Sequence, residues 1–298
     1  MNELAIKVGT LFFISCLGFI YGLITKSNSK DIANLLIYVI SPVVVVISIV
    51  QSPSTLSYFY FSIGAFIFCS ALCLLGYLLS GLIWKDKVRN LFAFTAGTGN
   101  TGYFALPIVL SMFNESQIAI AIFIIIGVNL YEFSVGYFIL EKGNARAVDV
   151  CKKTLKLPVL YAALLGFLIK YLGIGVNENI LGILSNFKGA YSVLGMLLIG
   201  IVLSRSPKST PDLKFLSVSL GWKHILVPAI ATIFTFLPGE QFDVIFLMAL
   251  SPLAGNTVVF SSNSGLHPEK AATAVLVSSL LAIFLIPFWA LLNKSNFC

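Results

Sequence analysis

The sequence predicts an all-α polytopic membrane protein. Ten transmembrane helices are expected, arranged as two inverted five-helix repeats with broken, crossing helices 4 and 9. Three observations predict it. The 298 residues are 58% hydrophobic and 10% charged, whereas ordinary soluble domains carry roughly 25% charged residues. Apolar runs near the ~20 residues that a spanning helix needs recur along the whole chain. The tripeptide Gly-Asn-Thr occurs twice, as Gly99-Asn100-Thr101 and Gly255-Asn256-Thr257, each time in the middle of such a run and near a proline.

The runs lie at roughly 4–24, 32–50, 58–84, 91–113, 117–139, 157–175, 189–204, 215–237, 242–264 and 270–292. The seventh is short and needs part of the preceding Leu184–Lys188 stretch to complete a crossing. Lys7 before an apolar run resembles a signal peptide, and Phe13-Ile14-Ser15-Cys16 resembles a lipoprotein cleavage site. That run continues to Leu23 and further runs follow, so the segment is expected to be retained as a helix. The charged loop from Glu141 to Lys156 divides the chain into residues 1–141, a linker at 142–156, and residues 157–298. Leu17-Gly18-Phe19 in the first run recurs as Leu165-Gly166-Phe167 in the sixth, and each Gly-Asn-Thr falls in the fourth run of its half. With five runs per half, the second half enters from the opposite face and the repeats are inverted.

The net charge of +7 has no contiguous basic face behind it, which excludes a nucleic-acid surface. Most lysines and arginines sit in loops after odd-numbered runs, among them Lys26, Lys85, Arg89, Arg146, Lys152, Arg205 and Lys270. Such asymmetry puts those loops in the cytoplasm and both termini on the far side of an inner cell membrane. Cys16, Cys69, Cys73, Cys151 and Cys298 form no CxxC pair, so packing rather than metal binding or disulfides is their expected role. Neither a metal nor a cofactor is expected.

Glycine and proline in mid-span free backbone groups that hydrocarbon cannot hydrogen-bond, so a break survives only against protein or a wet cavity. Paired interruptions in corresponding halves of a chain point to a transporter binding site. Asn100 is about ten residues from one end of its run and Asn256 about nine from the same membrane face, so both lie ~14–15 Å deep at 1.5 Å per residue. Ser251 is expected to cap a half-helix that Pro252 begins, and Pro107 to open the outer half of span four after the flexible Gly97–Gly102 stretch. Half-helix N-termini favour an anion. Asn100, Thr101, Asn256 and Thr257 add neutral donors and acceptors, and neither broken run contains an acidic residue near its break.

GNTGYFALPIVL resembles the NTG-x-x-x-LP signature of the auxin efflux carrier family, which includes bacterial malate and malonate permeases and is related to plant PIN-type carriers. SPLAGNTVVF resembles that family's ninth helix, LGFIYGLITKSNSKDIANLLIYVISPVVVV its first two helices, and GLHPEKAATAVLVSSLLAIFLIPF its last. The resemblance implies inverted repeats split into scaffold and transport domains, organic-anion transport and homodimers. It matches Asn100 and Asn256 to the crossing asparagines, with Pro107 and Pro252 beside them. His267, where such proteins often carry Asp, and the polar run Ser261-Ser262-Asn263-Ser264 depart from the pattern.

Glu132 falls within span five and Lys223 within span eight, where charge costs about 2.5–3.5 kcal/mol at the helix centre. The two are expected to approach each other or the substrate path, with Glu132 a candidate proton acceptor. The bland alternatives are a structural ion pair and snorkelling of Lys223. The expected function is a permease for small mono- or dicarboxylates working by alternating access, with H⁺ or Na⁺ coupling. Alternatives are a sodium-coupled symporter of bile-acid type and a non-transporting membrane sensor. No Walker motif, HExxH or GxSxG occurs, which disfavours ATP-driven transport and catalysis.

Overall fold

The computed structural model describes residues 2–25, 29–51, 58–141, 158–204 and 211–292. Every regular element among them is helical. In chain order we label them α1 (Asn2–Ile24), α2 (29–51), α3 (Phe59–Ser80), α4a (Val88–Gly97), α4b (101–112), α5 (Glu115–Leu140), α6 (Pro158–Tyr171), α7 (Glu178–Leu203), α8 (Leu213–Phe236), α9a (Gly239–Leu250), α9b (Asn256–Asn263) and α10 (Pro268–Leu292). α3, α5, α7, α8 and α10 contain stretches long and apolar enough to cross a membrane. α1, α2 and α6 carry shorter apolar stretches. The fourth and ninth runs fall short of that length because each is interrupted.

α7 corrects the expectation of a short seventh span. It is one helix of 26 residues, and Lys188 within it bonds Glu115 at the start of α5. The predicted linker 142–156, Cys151 and Cys298 lie outside the described residues.

α5 is the pivot of the packing. Its residues from Gln117 to Val128 are all buried, which suits a helix that is apolar all round. Asn114 and Gln117 start it with a capping box. α1 packs lengthwise on α7 through small residues. A Cβ added at Gly18 would lie 2.8 Å from Leu197 Cα, and one at Gly22 would lie 3.1 Å from Ile201 Cα. Without a hydrophobic force between helices in lipid, such close backbone approach supplies the van der Waals contact that holds them together.

Contacts at helix ends sort into two sets. At one end Lys270 bonds Asp212 at 2.7 Å, Lys214 donates to the Ile83 carbonyl at 3.2 Å, and Ser264 bonds Glu141. At the other, Tyr58 meets Ser116 at 2.7 Å, Gln117 donates to the Glu240 carbonyl at 3.2 Å, and Lys188 reaches Gln51 at 2.8 Å and Glu115 at 2.6 Å. α3, α5 and α9 therefore run from the second end to the first, while α8 and α10 start at the first end.

Candidate functional site

The first break spans residues 98–100. α4a ends at Gly97, and Thr98 is extended at φ −90°, ψ 162°. Side chains of α5 and α8 receive carbonyls of the last α4a turn and of the break. Tyr131 Oη donates to Phe94 O at 2.9 Å, Trp222 Nε1 to Ala96 O at 3.0 Å, and Lys223 Nζ to Thr98 O at 3.2 Å. Thr98 itself returns both N–H and hydroxyl to Thr95 O. This is the protein-side satisfaction that a break at membrane depth requires. Neither Tyr131 nor Trp222 was singled out by the sequence reading, because nothing in their local pattern signals a partner on another helix.

Asn100, not Pro107, opens the outer half. Its side-chain oxygen accepts from Tyr103 N at 3.1 Å, the geometry of an N-cap. A π-turn, Thr101–Ala105, follows, and Pro107 sits in the first turn of the α-helical part, Leu106–Met112. Gly102 lies within the π-turn.

The second break corrects the reading of Ser251 and Pro252. Ser251 terminates α9a, and its hydroxyl turns back to Met248 O at 2.6 Å. There it satisfies one of the carbonyls that a helix C-terminus leaves open. Pro252 lies in the unwound stretch, and α9b begins only at Asn256. Leu253 N donates to Ser278 Oγ at 2.9 Å, and His224 Nε2 meets the same hydroxyl at 2.8 Å.

The two breaks touch. Asn100 N–H donates to Pro252 O at 2.7 Å, a backbone bond between α4 and α9. Gly99 permits the approach: a Cβ there would lie 2.9 Å from Ser251 Oγ and 3.0 Å from Lys223 Nζ. Neither break uses left-handed backbone. Among the described residues positive φ occurs at Gly173, Gly265 and His267. Gly97 likewise supplies room, since a Cβ there would meet the Tyr131 ring at 2.5 Å. His267 sits at the start of α10, 3.5 Å from Glu269.

A cavity of about 290 Å³ opens against the crossing. Gly99, Asn100, Thr101, Gly102, Gly255 and Asn256 line it from the breaks, with Glu132 and Asn129 from α5. Tyr38, Pro158 and Tyr191 face them from α2, α6 and α7. Thr257 is buried outside that lining, and its hydroxyl has no partner.

Glu132 and Lys223 do not pair with each other. Glu132 accepts from Asn256 Nδ2 at 2.6 Å, while Lys223 holds Thr98 O from the other side of the break. Both are buried, Lys223 at 3% exposure, so Lys223 does not snorkel. A carboxyl group thus stands at the crossing even though neither broken run supplies one.

Each of the four π-turns among the described residues brings a residue to this region: Leu36–Ile40 carries Tyr38, Thr101–Ala105 follows Asn100, Glu132–Gly136 begins at Glu132, and Trp222–Leu226 holds Lys223. A π-turn widens the helix locally and re-aims side chains, which is why such turns gather at functional sites. Among the described residues no group of three or more His, Cys, Asp or Glu is placed to hold a metal.

Residues 146–290 match the membrane transport protein family. The match bears out the resemblance to auxin efflux carriers read from the sequence. The chain is also 26% identical to an uncharacterized transporter of Methanocaldococcus jannaschii over 285 residues, covering 91% of each chain. It is 25% identical to an uncharacterized transporter of Methanothermobacter thermautotrophicus over 218 residues, covering 71% of this chain and 68% of the relative. Together with the apolar helices, these similarities point to a multi-pass membrane protein of transporter type.

Proposed function

We propose that the protein is a secondary transporter of small organic anions, mono- or dicarboxylates, working by alternating access. The observation that carries this reading is the bond from Asn100 N–H to Pro252 O, with Asn100 and Asn256 lining one cavity of about 290 Å³. Helix starts at Thr101 and Asn256 turn their positive dipole ends toward that space, which favours an anion. On this reading the ten helices form two inverted repeats, residues 1–141 and 157–298, joined by the linker at 142–156. The opposite directions of α3, α5 and α9 on the one hand and α8 and α10 on the other support it. α1, α2, α6 and α7 act as the scaffold against which the other helices shift.

Glu132 decides the coupling. The described lining of the cavity includes its carboxyl group and no basic side chain. An anion beside an ionised Glu132 would be repelled in a low-dielectric site. It enters with a proton on Glu132, so anion and proton travel together. The cavity runs toward Pro158, the first described residue after the basic linker in sequence, while Lys188, Glu115 and Gln51 bridge helices at the opposite end. That arrangement supports a resting form open to the cytoplasm, with both termini outside an inner membrane. Pairing as a homodimer rests on the family resemblance.

Uptake of labelled malate into proteoliposomes, compared with Asn100→Ser, tests the proposal. Serine keeps the N-cap and removes the amide. Uptake is expected to fall at least tenfold while the protein stays folded. Replacing sodium with choline is expected to leave uptake unchanged; dependence on sodium would favour the sodium-coupled alternative. Malate binding without accumulation would make the protein a sensor.

A further inference from the structure

A second cavity, of about 490 Å³, lies across the crossing from the first. Gly99 and Thr101 line both, so the wall between them is the first break itself. The larger cavity runs between α3 and the α8–α9a pair. At its deep end stand Thr98 and Lys223, and at its mouth Tyr60 and Phe236, which are 75% and 76% exposed. Most of the wall between is hydrocarbon, with Ala65, Ile245 and Met248 as examples. Lys223 is the charged residue of its described lining, whereas Glu132 is that of the other. The crossing separates an ammonium from a carboxyl group.

Lys223 has unspent capacity. An ammonium carries three N–H donors, and the Thr98 carbonyl takes one. The group is 3% exposed and lines the cavity. Among the described residues no carboxylate lies within ion-pair distance of it, and a buried charge is costly unless closely paired, so an anion in the cavity would complete its contacts.

Shape narrows the class. Thirteen residues of α8 separate Lys223 from Phe236, about 20 Å at the helical rise. Spread over that length, the cavity of about 490 Å³ is an elongated slot with room for a hydrocarbon tail. A twelve-carbon acid, about 15 Å long when its ~1.5 Å bonds are extended, fits within it.

We propose that this cavity is a binding site for a single-chain fatty carboxylate, its carboxylate on Lys223 and its tail running between α3 and α8 to the Tyr60–Phe236 mouth. The site is separate from the carboxylate-carrying cavity and does not rest on the transport reading, because binding is read without flux.

Equilibrium binding of labelled dodecanoate to the protein in phosphatidylcholine nanodiscs tests it. Wild type is expected to bind one equivalent saturably. Lys223→Met is expected to weaken dodecanoate at least tenfold and to leave labelled dodecanol unchanged. Gly64→Phe is the second variant: Gly64 lines the cavity, and a Cβ there meets nothing within 4 Å. It fills the slot without touching Lys223 and is expected to abolish binding of both probes. Non-saturable binding, or equal dodecanoate affinity in all three proteins, overturns the proposal. So does native mass spectrometry that finds a phospholipid retained by wild type, lost in Gly64→Phe and not displaced by dodecanoate.

Discussion

Asn256 donates its side-chain amide to Glu132 at 2.6 Å, across 124 positions of sequence. The acidic group at the crossing therefore comes from α5, a helix without a break, and is held by the second broken helix. Because Asn256 opens α9b, any change in Glu132's charge is felt at the start of that half-helix.

Proton coupling through this pair has a definite signature. Malate uptake by wild type is expected to rise as pH falls, since protonating Glu132 removes the charge that opposes the anion. Glu132→Gln mimics the protonated form and is expected to give a flat profile between pH 5 and 8. A Gln variant that keeps the wild-type profile removes Glu132 from the mechanism.

The bond itself has a measurable worth. Asn256→Ala leaves Glu132 buried with its donor gone, a loss of about 1.5–3 kcal/mol for a hydrogen bond to a charged group. Adding Glu132→Leu to Asn256→Ala is expected to restore part of that stability, because no buried carboxyl group is then left unsatisfied. Thermal unfolding of the four proteins in nanodiscs closes the double-mutant cycle.

The α1–α7 contact is expected to tolerate no side chain at Gly200. A Cβ there would lie 2.6 Å from Phe19 N, and overpacking of this kind costs about 1–3 kcal/mol or more. Gly200→Leu should lower the unfolding temperature. Gly182→Ala, in the same helix but with nothing within 4 Å, should raise it slightly, since alanine is favoured over glycine in a helix by about 1 kcal/mol.

Asp212 offers a pH test outside the membrane. The Lys270 ammonium holds its carboxyl below the usual aspartate range, aided by the backbone bond from Phe215. A depressed folded-state value means that the contribution is present above the unfolded value, ~3.9, and disappears as pH falls through the folded one. Asp212→Asn keeps the α8 N-cap and removes the charge. Its deficit in unfolding temperature should be small at pH 7, as for a partly exposed ion pair, and should vanish in acid. A deficit that persists there would assign the effect to capping instead.

Much of the fold was legible because lipid imposes strong local rules. Apolar length marks a spanning segment, and a Gly-Asn-Thr in mid-span marks an interruption, whatever the segment packs against. Equal depth of Asn100 and Asn256 follows from counting residues at a fixed rise. The roles of Pro107, Ser251 and Pro252 were misjudged for a local reason too. Ser-Pro is a helix-start signal only if the serine hydroxyl faces forward, and in Ser251 it faces back to Met248.

What the sequence by itself determined is which segments are apolar enough to cross and where two of them break, since propensity and hydration act residue by residue. Only the tertiary structure decided that Tyr131, Trp222 and Lys223 mend the first break, that Glu132 meets Asn256, and that the crossing parts a cavity lined by Lys223 from one lined by Glu132. Those facts depend on which face of each helix meets its neighbour. In a helix apolar all round, such as α5, no periodicity records that face; π-turns then rotate it further, and packing alone sets the result.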